Sequence, residues 1–285
     1  MVLILIGGSL FFNQAAEAVT VGPSLLEADA EPGETFIQEI KLFNETNRPL
    51  ALYPILENVL PKKETGQPQF LGDKDVLGAA RWISVPVEKI ILKPGELKKV
   101  LLNIRVPKLL IQPGGHYAAL FWADQPPKNA GIGVANRVGT IFLFKIKGSV
   151  KEDLKIISFE KEVLAFGLQV ENSGNTHLKP AGQVIISNWR RQPVKTIFIN
   201  PLGQLILPQS RRQFKISEKE FDGWGRFYAQ AKINYGTGNQ EVVSSEVTYW
   251  SAPENWGRQV LGFVALALLG WVAVKIAKKR TRRNI

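Results

Sequence analysis

At 285 residues the chain has room for about two domains, and 45% of it is hydrophobic, which excludes global disorder. The absence of cysteine excludes a disulfide framework, a thiolate zinc site and a cysteine nucleophile, and two histidines leave general acid–base chemistry few candidates. More than half of the net charge of +11 comes from six cations at the C-terminal end (Lys275, Lys278, Lys279, Arg280, Arg282 and Arg283), so no basic face for nucleic acid is expected.

From the N-terminus, "VLILIGGSLFF" has the length of a signal-peptide core, and Ala16-Glu17-Ala18 supplies an A-x-A cleavage site before Val19. Residues 1–18 therefore read as a signal peptide. No lysine or arginine precedes the apolar stretch, which leaves open an upstream start, an atypical signal or an uncleaved anchor.

Residues 19–149 read as a first β-sandwich. "FIQEIKLFN" (36–44) and "KKVLLNIRV" (98–106) alternate apolar and polar side chains, the period of a half-buried strand. "HYAALFWA" (116–123) and "GTIFLFKIKG" (139–148) are richer in aromatics, and "VLGAARWI" (76–83) suits one or two helical turns. After the charged connector "GSVKEDL" (148–154), residues 154–252 repeat the pattern with "LAFGLQVEN", "GQVIISNW", "KTIFIN", "RQFKI", "RFYAQAKINYG" and "SSEVTYW".

The two halves share a plan. "KLFNETNRPLAL" (41–52) and "QVENSGNTHLKPAG" (169–182) each end an alternating strand on Asn and continue through a polar turn with a second Asn. Asn172, Asn175 and His177 then mark a strand-to-strand corner, since Asn and Gly tolerate left-handed backbone and short side chains bond the turn's own amides. The imidazole has no counterpart in the first copy and reads as incidental.

At the C-terminus, Val260 to Val274 is uncharged and about 22 Å long at ~1.5 Å per residue. With Trp256 as an interfacial anchor and Lys275 snorkelling, residues 257–277 are expected to span a membrane. The basic tail, 278–285, would then be cytoplasmic and everything before Trp256 exported. The fold class expected is all-β: two tandem Ig-like β-sandwich domains plus one C-terminal transmembrane α-helix.

Three stretches, "ADAEPGETFIQEIKLFNET", "ARWISVPVEKIILKPGELKKVLLNIRVP" and "QPGGHYAALFWA", resemble the first Ig-like domain of the membrane-anchored WxL-interacting proteins of bacterial surfaces. "NSGNTHLKPAGQVII", "NPLGQLILPQSRRQF" and "GWGRFYAQAKINYG" resemble their companion Ig-like domain. The resemblance implies peptidoglycan-type binding without assigning residues to it, and the chain departs from the usual pattern between Pro61 and Gly78.

The motifs of catalysis are missing. There is no phosphate-binding G-x-x-x-x-G-K-[ST], no H-E-x-x-H and no G-x-S-x-G. "GIGVAN" (131–136) precedes a strand rather than a helix and reads as a hairpin turn, and Asp73 and Asp75 fall short of a calcium sphere. No catalytic residue, cofactor or metal site is expected. The longest irregular stretch, 62–81, offers Phe70, Asp73, Asp75 and Arg81 as a candidate ligand-facing loop, while the pairs Arg190–Arg191 and Arg211–Arg212 read as surface charge.

The function expected is noncatalytic: a membrane-anchored extracytoplasmic protein that binds cell-wall polymer or another surface protein. The alternative is an assembly or chaperone-like module for surface or pilus subunits, working through an exposed strand edge. An unprotected edge favours the second, and edges blunted by charge or proline favour the first. The fragment 19–255 is expected to give the circular dichroism of a β-rich protein, and a strongly helical spectrum would refute the architecture.

Overall fold

The computed structural model describes residues 19–63, 65–71, 78–126, 136–218, 223–253 and 256–281. The signal peptide expected over 1–18, Asp73 and Asp75, the glycine-rich 131–135, and Arg282 and Arg283 lie outside the described residues. The chain divides into two compact units: 1–153 with the short segments Asn172–Leu178 and Leu207–Ser210, and the remainder from Leu154.

In the first unit the strands are β1 (Val19–Gly22), β2 (Leu25–Ala30), β3 (Thr35–Asn44), β4 (Leu50–Pro61), β5 (Pro68–Leu71), β6 (Ile83–Ser84), β7 (Ile90–Leu92), β8 (Leu97–Arg105), β9 (Gly114–Ala123) and β10 (Arg137–Ile146), with a 3-10 turn at Ala79–Trp82. One sheet has the order β1-β3-β8-β6, the other β2-β10-β9-β4-β5 with β7 also on β4. Alternation sets the inner face. Val100, Leu102 and Ile104 of β8 are buried while Leu101, between them, is 56% exposed. These meet Leu120, Trp122, Phe142 and Phe144 in one apolar core.

The chain changes sheets between β1 and β2, so that β2 runs parallel to β10, from Leu25 beside Ile141 to Ala30 beside Ile146. Asn44, at the end of β3, is fully buried. Its Nδ2 donates to the carbonyls of Arg48 (2.9 Å), Leu92 (3.2 Å) and Lys93 (3.0 Å), and its Oδ1 accepts from Thr46 N (3.0 Å) and Thr46 Oγ1 (2.7 Å). A buried corner must satisfy its peptide groups internally, and one amide side chain does most of that here.

The second unit contains β11 (Leu154–Lys161), β12 (Ala165–Asn172), β13 (Ala181–Ser187), β14 (Pro193–Ile199), β15 (Ser210–Ser217), β16 (Gly225–Tyr235), β17 (Gln240–Val243) and β18 (Val247–Ser251). Its sheets are β11-β12-β15 and β14-β13-β16-β17, with β18 also on β16. Phe159 and Phe166 stack at 5.4 Å within the core, and Val184, Ile186, Ala229, Ala231 and Ile233 supply the facing layer. One ionic cluster lies beside them. Glu218, 8% exposed, receives Tyr249 Oη–H on Oε1 at 2.6 Å and faces Lys161 Nζ from Oε2 at 2.8 Å. Burial, and then the Glu218 carboxylate, push the Tyr249 phenol well above its ordinary value.

The transmembrane helix expected over 257–277 requires correction. Helix α1 (Trp256–Thr281) has 26 residues, yet among the described residues no helix is long and apolar enough to cross a membrane. Arg258 and Lys275 bracket an uncharged run of about 24 Å at ~1.5 Å per residue, short of a ~30 Å hydrocarbon core. The fold is thus two β-rich units followed by a helix that does not span. The single-pass membrane localisation and the membrane as partner are withdrawn with the span. Trp256 instead meets the ring of Trp224 edge-on at 6.0 Å, Lys275 Nζ lies 4.2 Å from the Trp271 ring, and Lys278, Lys279 and Arg280 continue the helix.

Two predictions follow from this packing. Asn44→Ala removes a donor from three carbonyls and should cost about 2–4 kcal/mol in urea unfolding. Because the Tyr249 pKa is raised in the folded state, its contribution is complete below the unfolded value of ~10 and is lost as pH climbs beyond it. Unfolding followed from pH 8 upward should therefore show stability falling above about pH 10, and Tyr249→Phe should flatten that alkaline limb.

Candidate functional site

A sandwich always ends in edge strands, and an edge is dangerous or useful according to what blunts it. In the first unit, β2 carries Glu27 and Asp29, β8 carries Lys98 and Lys99, and β6 covers β8 at Ile104 and Asn103. The edges β1, β5 and β7 have four, four and three residues. In the second unit, β11 has Lys155, Glu160 and Lys161, β15 has Arg211, Arg212 and Lys215, and β17 includes Glu241. The uncharged β18 has five residues and stops just before Ala252-Pro253.

The exception is β14, "PVKTIFI". It is seven residues long, has one charged side chain, and lies at the edge of its sheet. Its β-branched content explains the extended backbone, and Pro193, which cannot donate to a ladder, occupies the first position where it does least harm. Pairing with β13 runs from Gly182 beside Ile199 to Ser187 beside Pro193, with a bulge at Ile186/Ser187. Ile199 turns into the core, while Phe198 (72%) and Val194 (48%) stand exposed beside Thr196.

Asparagines fix both ends of this strand. At its start, Asn188 Oδ1 accepts from the backbone N–H of Arg190 (2.9 Å) and Gln192 (3.1 Å), closing a turn in which Arg191 takes a positive φ of 63°. At its end, Asn200 Nδ2 donates to the carbonyls of Pro180 (2.7 Å) and Gln204 (2.9 Å), and its Oδ1 accepts from Gln204 N at 2.8 Å. The turn presents Trp189, 66% exposed, with the Arg190 guanidinium 4.6 Å from its ring. Arg191 stacks 3.5 Å from the Tyr228 ring and pairs with Glu246, which raises its pKa further. A rigid, apolar edge with main-chain donors and acceptors can take up an extended polypeptide as an additional strand.

The residues picked from the 62–81 stretch are dispersed. Phe70 belongs to β5 and meets Phe121 edge-on at 5.1 Å, a strand position rather than a loop. Arg81 is in the 3-10 turn and lines a groove of about 640 Å³ with Arg105, Lys108 and Leu110. The histidine read as incidental has partners: His177 Nδ1 lies 3.4 Å from Tyr117 Oη, and Nε2 lies 3.9 Å from Glu27 Oε2. Nothing local announces these contacts, because Tyr117 and Glu27 are remote in sequence. The signal for β14 was present in "KTIFIN", a strand with a single charge. Among the described residues no group of three or more His, Asp or Glu could hold a metal.

No family model and no curated protein matches the chain. Solved structures do. The class 5 fimbriae chaperone CfaA shares 12% identity over 83% of this chain and 100% of its own, with a TM-score of 0.44. The YadV chaperone shares 11% over 81% and 99%, with a TM-score of 0.40, and the E. coli chaperone DraB 12% over 82% and 96%, with a TM-score of 0.38. The expected kinship with WxL-interacting proteins is corrected: no family model matches the chain, and the solved structures it resembles are chaperones. The reading as a membrane-anchored binder of wall polymer is corrected with it, since the helix it depended on does not span.

Proposed function

We propose that this chain is an assembly or chaperone-like module that holds a partner polypeptide by strand addition at the β14 edge. The supporting observation is the contrast among edges: among the described residues β14 alone combines seven residues, one charge and two large exposed apolar side chains. An added strand would satisfy its own peptide groups on the open side of β14. Its alternate side chains would extend the row of Val194, Thr196 and Phe198, so main-chain bonds would supply affinity and the apolar row selectivity. The partner would be a surface or pilus-type subunit with an unpaired strand of its own.

A photo-cross-linking amino acid placed at position 196 should capture an extended segment of the partner, and the same group at position 99 on β8 should not. Phe198→Lys puts a charge on the open edge and should abolish capture while changing folding stability by less than about 0.5 kcal/mol. Equal capture at 99 and 196, or capture unaffected by Phe198→Lys, would refute the reading.

A further inference from the structure

The groove beside the 3-10 turn of the first unit gathers positive charge with no acid to balance it. Arg81 comes from that turn, Arg105 from the end of β8 and Lys108 from the loop that follows. None of the thirteen described lining residues is a carboxylate. The acids of the neighbouring β2–β3 turn are engaged elsewhere: Glu31 Oε1 meets Lys147 Nζ at 2.8 Å, and Glu34 Oε2 accepts from Glu31 N at 2.7 Å. Among the described residues no ion pair reaches any of the three cations.

The rest of the wall is apolar. Val106 and Trp82 are buried, Ile111 packs partly against the core, and Leu109 (76%) and Leu110 (103%) stand out in water. Leu110 takes a φ of 61°, a left-handed conformation that a bulky side chain adopts at a cost, and such strain collects at ligand sites. The loop is pinned in this shape, since Gly33 N donates to Pro107 O at 3.1 Å and Val106 N to Glu34 O at 2.9 Å.

A sugar would set its hydroxyls against Val106, Pro107 and three aliphatic side chains. An uncharged apolar ligand would take water from the cations and return nothing. A polypeptide brings a peptide group every ~3.3 Å, yet the lining's uncharged polar side chains are few, and His116 Nε2 is already bonded to Gln112 O at 2.8 Å. What matches both the charge and the wall is a ligand with one anionic end and an aliphatic body. The volume of about 640 Å³ lies within the ~300–1,000 Å³ of small-molecule sites.

We propose that this groove binds a single-chain anionic amphiphile of the fatty-carboxylate class. Arg81, Arg105 and Lys108 take the carboxylate, and the chain lies along Val106, Ile111 and the two exposed leucines. The site belongs to the first unit and does not depend on the β14 edge of the second.

The test is isothermal titration of the full chain with sodium dodecanoate, kept below its micelle concentration. Binding should saturate with a Kd below about 1 mM. Dodecyltrimethylammonium has the same chain with the opposite charge and should not compete, and acetate, the carboxylate without the chain, should not compete either. Arg81→Gln combined with Arg105→Gln should weaken dodecanoate about tenfold. Leu110→Asn keeps a residue that tolerates positive φ but removes the aliphatic rim, and should weaken it about threefold. All three side chains are exposed, so the variants should fold, and dodecanoate adsorbed on helix α1 would be indifferent to them. Phe198→Lys should leave the titration unchanged, which separates this site from the β14 edge. Failure to saturate, unchanged affinity in the double arginine variant, competition by the cationic analogue, or loss of binding in Phe198→Lys would each overturn the proposal. So would tighter binding of the acidic peptide acetyl-Leu-Asp-Leu-Asp-amide than of dodecanoate, which would assign the groove to a polypeptide.

Discussion

Two alternating strands, β3 and β12, arrive at a corner where peptide groups turn inward and leave water behind. What makes those corners possible is a buried side-chain amide. Asn44 gathers three carbonyls with its Nδ2 and two donors with its Oδ1. At the second corner Asn172, equally buried, donates to the Thr176 carbonyl at 2.7 Å and accepts from Gly174 N at 3.0 Å. Beside it Asn175 receives Lys151 N at 2.7 Å and donates to Ser149 O at 3.0 Å. Gly114, at φ 117°, has to be glycine there, since a Cβ would lie 2.4 Å from the Asn175 carbonyl. Asparagine suits the task because it carries two donors and an acceptor on a stem too short to reach solvent.

With the corners fixed, the freedom left to the molecule lies at its sheet edges. Charge is spread over the long ones: acidic on β2, basic on β8 and β15, mixed on β11. An edge that lacked such protection by accident would invite aggregation. On β14 the apolar row is held straight between two asparagine turns, and conserving that shape matters more than hiding it if a partner is to use it.

How much of this could be read from residues alone depends on the range of the interaction. The alternation in "KKVLLNIRV" is local, and Val100, Leu102 and Ile104 are buried as that period requires. The asparagine corners were legible in their local half, Asn44 with Thr46 and Arg48 and Asn172 with Gly174 and Thr176, but not in the bonds from Asn44 to the distant Leu92 and Lys93 carbonyls. Phe70 was misplaced because β5 is a short strand whose existence depends on pairing with β4. The partners of His177 were invisible, since Tyr117 and Glu27 reach it only through the tertiary fold. Edge status is the least legible property, because the same "KTIFI" would be silent in the middle of a sheet. The C-terminal helix erred in the opposite direction: its composition suggested a span, and the bracketing charges of Arg258 and Lys275 cut it short.

The parallel pairing of β2 with β10 has a mechanical consequence. These are the strands by which the chain enters and leaves most of the first sandwich, and six residue pairs join them in parallel register. Tension applied to the chain on either side of that unit would pull β2 toward its beginning and β10 toward its end, sliding one along the other. Hydrogen bonds loaded in this way share the force and must fail together, whereas an antiparallel pair pulled from one end opens bond by bond. The first unit is consequently built to resist stretching, through the rate at which it unfolds rather than through its equilibrium stability.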